Sequence, residues 1–201
     1  MNIKQIAFGF LTIGLISCNS TGKQKNNSEK ESYSDIKIVG AMKNVMWKGE
    51  LDGTINVEKR FDVSAPFFVY GNITEWDEVE LASNIKTIQD LEKLVDEKTT
   101  EFKRPFAFKL IGRVSKAIIH IQNLPEGTKV SSPDEAHQGQ ISYNIENEDA
   151  EIIGFYSTEH KGIFTHHDSF LHMHLMTKDE TKMGHLDELE IGEMKLYLPK
   201  K

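Results

Sequence analysis

A chain of 201 residues with one cysteine and a formal net charge of −7 can close no disulfide within itself and carries no cationic surface for a polyanion. Nucleic acid is therefore excluded as the expected partner, and an acidic, mixed surface has no attraction for anionic lipid. No internal repeat and no glycine-rich phosphate loop occurs.

Lys4 precedes the nearly all-apolar run from Ile6 to Ile16. That run is shorter than the ~20 apolar residues a spanning helix needs, and it fits the hydrophobic region of a secretory signal. It ends in Leu15-Ile16-Ser17-Cys18, which resembles a bacterial lipobox. Residues 1–18 are thus expected to be a lipoprotein signal peptide and Cys18 the lipidated residue. The protein would be exported and anchored to the cell envelope through that acyl group. Residues 19–34 hold one aromatic and no aliphatic side chain, so they cannot offset the entropy of ordering and are expected to be a flexible polar tether. Residues 35–201 are one domain's worth of chain.

Asp35 to Gly40 and Pro66 to Asn72 read as short strands. Thr87 to Phe102 reads as a helix: Thr87 can cap it, Asp90 stands three residues on, and Ile88, Leu91, Leu94 and Val95 share one face. From Arg104 on, the chain reads as strands: Phe106 to Ile111, Ala117 to Ile121, Gln140 to Ile145, Glu151 to Tyr156, Ser169 to Thr177 and Met194 to Leu198. Turn signals fall at Asn123 to Gly127 and at Glu146 to Asp149. The expected class is α+β, mainly β, with barrel-like or sandwich sheets and one helix packed outside.

Six of the eight histidines lie between His160 and His185. Phe170-Leu171-His172-Met173-His174-Leu175 alternates strictly, and residues two apart in a strand face the same way. His172 and His174 would then stand side by side, with Leu171, Met173 and Leu175 buried behind them. The polar turn Lys178-Asp179-Glu180 would return the chain antiparallel and bring His185 opposite the pair. Three imidazoles with positions left open suit a catalytic zinc, since structural zinc sites are closed by a fourth protein ligand. An alternating pair of surface histidines is the bland reading of the same string. His160, His166 and His167 are expected on a loop, either supporting the ligands or solvated.

The string from Phe170 through His172, His174, Gly184 and His185 to Asp187 resembles the signature of the α-acetolactate decarboxylases, including the thirteen-residue step from first to third histidine. Phe106 to Ser115, Glu151 to Phe155 and Pro66 to Val69 are similar to other strands of that family, and the resemblance covers roughly residues 50–199. It implies that fold, with mixed sheets forming a half-barrel or sandwich, and zinc bound by His172, His174 and His185. It implies decarboxylation of 2-acetolactate, or a related 2-hydroxy-3-oxo acid, to acetoin, with the metal stabilising the enediolate left by carbon dioxide. The family's paired sheets are compatible with a homodimer. The chain departs from its pattern in three places: at two single positions, the second followed by a stretch from Ile55 to Pro66 shorter than the family's, and after Leu198-Pro199, where the family's tail brings in another glutamate. His120 stands where the family has an arginine, and is the expected catalytic residue that positions or protonates substrate. Thr54 stands where the family's Leu-Asp-Gly-Glu turn has its glutamate. These departures leave a second expectation: a lipid-anchored metal or small-ligand binding protein on the same fold.

Overall fold

The structure is a computed structural model that describes residues 32–34, 46–49, 55–58, 73–124, 128–129, 135, 138–162, 165 and 168–200. The signal peptide, Cys18 and the strands expected at 35–40 and 66–72 lie outside these residues. Three short strands, β1 (Ser32–Ser34), β2 (Met46–Gly49) and β3 (Ile55–Glu58), pair antiparallel in that order. β1 takes up the last three residues of the segment read as a tether. Pairing through the backbone, Tyr33 opposite Lys48, needs no apolar run in the sequence.

The main sheet contains β4 (Trp76–Glu80), β5 (Phe106–Gln122), β6 (Gln140–Glu146), β7 (Asp149–Tyr156), β8 (Leu171–Thr177) and β9 (Met183–Pro199). Its order is β4-β9-β8-β7-β5-β6, and β9 also pairs with β5. The ladder therefore closes on itself through β5, β7, β8 and β9, the barrel-like outcome expected for this class. Where the sequence suggested two strands at 106–111 and 117–121, β5 is one seventeen-residue strand. Gly112, at φ 145°, lets it continue: a side chain there would come within 2.1 Å of the Glu193 carbonyl oxygen.

The polar stretch at 146–149 is not a chain reversal. β6 and β7 lie end to end along one edge of β5, with Glu146 opposite Lys116 and Asp149 opposite Arg113. Between them, Asn147 donates to the Ser115 carbonyl and Val114 to that of Glu148, so the hydrogen bonding continues. Turn-forming residues here mark a local kink, with Asn147 at φ 53°. The strand at Met194 to Leu198 is the end of the long β9, and β4 was not expected at all. Three of its five residues are acidic, which suits an edge strand but hides it from a search for apolar alternation.

Helix α1 (Ile88–Lys98) starts as expected, with a capping box between Thr87 and Asp90, and ends before Phe102. Thr99 closes it, returning its hydroxyl to the Val95 carbonyl at 2.6 Å. Leu91 and Val95 are fully buried and join Phe108, Leu110, Ile152 and Leu171 in the main core. Glu92, on the same helix, accepts from the Ser169 hydroxyl and from the Phe170 N–H. The helix thereby holds the entry to β8, the strand that carries two of the histidines.

Candidate metal centre

β8 and β9 form the expected hairpin, with His174 directly opposite His185. Leu171, Met173 and Leu175 are buried in the main core, so alternation turns His172 and His174 to the other face. The Nε2 atoms of His172 and His174 lie 2.7 Å apart. The His185 ring sits edge-on to both, with centroids 4.9 Å away. One ligand nitrogen from each of the three lies within 4.8 Å of the others. A zinc ion with Zn–N bonds of about 2.0–2.1 Å holds its nitrogens about 3.3 Å apart. The three rings bracket that spacing, and an all-imidazole set is one that zinc accepts.

The floor beside the rings is apolar. Met176 follows His174 by two residues, Met183 precedes His185 by two, and the two methionines oppose each other. With Ile121 they form a second cluster, separate from the main core, against which Ile55 and Val57 of β3 pack. Gly184 is required between them, because a side chain there would meet the His120 carbonyl oxygen at 2.7 Å.

His120 lies opposite His185 on β5, with ring centroids 4.9 Å apart. The structure thus brings all four expected site residues together. It adds Asp187, whose two carboxylate oxygens are 2.8 and 2.7 Å from the His120 Nδ1. Asp187 was visible in the sequence as part of the histidine string, but nothing there linked it to a residue sixty-seven positions earlier. Gln122, two residues beyond His120, buries its Oε1 without a hydrogen-bond partner among the described residues, a second polar group that sequence reasoning missed. His160 lies on the loop after β7, as expected, its Nδ1 2.7 Å from the Ser157 hydroxyl. His166 and His167 lie outside the described residues.

A ladder closed on itself, carrying three convergent imidazoles on one hairpin and a histidine–carboxylate pair between that hairpin and the adjoining strand β5, defines a β protein with a candidate divalent-metal centre. The chain belongs to the alpha-acetolactate decarboxylase family, whose model matches residues 39–200. Among solved structures it is similar to acetolactate decarboxylase from Bacillus subtilis subspecies spizizenii, at 19% identity and a TM-score of 0.60 over 78% of this chain. It is similar to the alpha-acetolactate decarboxylase of Bacillus subtilis strain 168, at 21% identity and a TM-score of 0.59, also over 78% of this chain. The chain spans 66% and 65% of those two proteins. A Staphylococcus aureus protein of unknown function, similar to alpha-acetolactate decarboxylase, matches at 12% identity and a TM-score of 0.60 over 86% of this chain and 73% of its own. No curated protein matches the sequence.

Proposed function

We propose that this protein is a zinc-dependent carboxy-lyase that converts 2-acetolactate, or a related 2-hydroxy-3-oxo acid, to acetoin and carbon dioxide. The observation that carries the proposal is the convergence of His172, His174 and His185 on one hairpin in a member of this family. Zinc held by these three would supply a Lewis acid to the substrate oxygens that gain negative charge as carbon dioxide leaves. The rest falls to the chain's own groups. Decarboxylation of the acetolactate anion takes up one proton, and His120, beside His185, is the side chain placed to carry it from solvent. The methionine floor accepts the substrate's methyl groups and keeps bulk water from one side of the reacting carbon.

The His120 position favours a second reading. An imidazole cannot grip a carboxylate with the two parallel bonds of an arginine, so the site would hold metal and a small ligand without turnover. In either case export and anchoring through a lipidated Cys18 would place the domain at the cell envelope. Turnover of racemic 2-acetolactate by the full chain separates the two. Acetoin release that a chelator stops and added zinc restores is the expected result. A zinc-loaded chain that releases no acetoin sinks the lyase reading in favour of the binding protein.

A further inference from the structure

β9 does not run past His120 in regular register. Leu186 is opposite Ile119 and Glu188 is opposite Ile118, which leaves Asp187 as the extra residue of a β-bulge. Bulges re-aim a side chain that regular pleating would direct elsewhere. Here the re-aimed group is a carboxylate, and both of its oxygens reach one nitrogen of the His120 ring. The contact is sheltered, with side-chain exposures of 13% for His120 and 27% for Asp187, so water competes with it far less than at an open surface pair.

We infer that Asp187 is a positioning residue that fixes the tautomer and orientation of His120, an assignment that rests on the role proposed for His120 above. A carboxylate accepts hydrogen bonds and has none to give, so the ring hydrogen sits on Nδ1 and is donated to Asp187. The other ring nitrogen, Nε2, is then the one atom of His120 presented to a bound molecule. Without the carboxylate both tautomers are accessible and the ring turns more freely. The His120–Asp187 pair thus offers a bound molecule one directed nitrogen. The bulge is what brings the carboxylate to the ring.

The test uses the full chain with 15N-labelled histidine, His120 being assigned by its loss in His120→Gln. The unsubstituted chain should show the Nδ1–H form alone. Asp187→Asn should show a mixture, since an amide can donate or accept, and Asp187→Glu should recover the Nδ1–H form at least in part. With zinc content unchanged, kcat in Asp187→Asn should fall about tenfold or more while KM moves little. An Nε2–H form in the unsubstituted chain overturns the inference. So do spectra of Asp187→Asn that match it. If the unsubstituted chain forms no acetoin, the lyase reading fails, and the tautomer assignment is still decided by the spectra.

Discussion

His174 is 7% exposed and backed by the main core, so its imidazole is held by the strand more firmly than its neighbours'. Truncating it to Ala should leave the sheet intact and remove both zinc and acetoin formation; turnover that survives His174→Ala would contradict the metal role. His172 and His174 were legible in the sequence because strand alternation is a two-residue rule, and their partner His185 because a polar turn separates it from them. Asp187 was not legible, because a bulge breaks that rule and leaves no mark in composition. Gly184 gives a second residue-scale prediction. An added methyl group would press on the His120 backbone, so Gly184→Ala should cost about 1–3 kcal/mol and weaken zinc binding together. Urea unfolding and chelator competition measure the two, and normal values for both would show that β5 and β9 are not in close contact there.

At the scale of elements, the start of α1 was readable because capping is local: Thr87 and Asp90 exchange hydrogen bonds with each other's backbone. Thr87→Ala should lower stability by about 1 kcal/mol and leave acetoin formation unchanged. A larger loss in urea, or a loss of activity, would mean that the helix start steers the site directly. The end of α1 falls short of Phe102 because Thr99 closes it on the Val95 carbonyl, and Asp96 of its last turn is held from farther along the chain. Tyr156 of β7 donates to Asp96 at 2.7 Å, and Arg104 reaches the same carboxylate at 3.0 Å. The Tyr156 hydroxyl first, and the Arg104 guanidinium after it, hold Asp96 below the usual carboxylate range, while burial and Asp96 push the Tyr156 hydroxyl up. A carboxylate lowered in the fold adds stability above its unfolded value of about 3.9, and that stability is lost as pH falls through the lower folded value. The stability gap between the unsubstituted chain and Tyr156→Phe should therefore be flat above about pH 5 and shrink below about pH 4. Urea midpoints across that range check it, and a gap that stays constant into strong acid would show that Asp96 is not the tyrosine's partner.

For the whole molecule, composition and strand periodicity gave the class, and the histidine string gave the hairpin. The closure of the sheet was not available to local reading. It depends on β9 meeting β8 through His185 and β5 through His120, with shifts in register along the way. The same closure assembles the site: His174, His185 and His120 form one row across three strands, and α1 fixes the entry to the first of them. The most direct measurement is zinc per chain in the unsubstituted protein and in His185→Ala, purified alike and checked for folding by circular dichroism. Close to one zinc is expected in the first and essentially none in the second. Zinc kept by a folded His185→Ala chain, or none in the unsubstituted protein after zinc is supplied, would contradict that expectation.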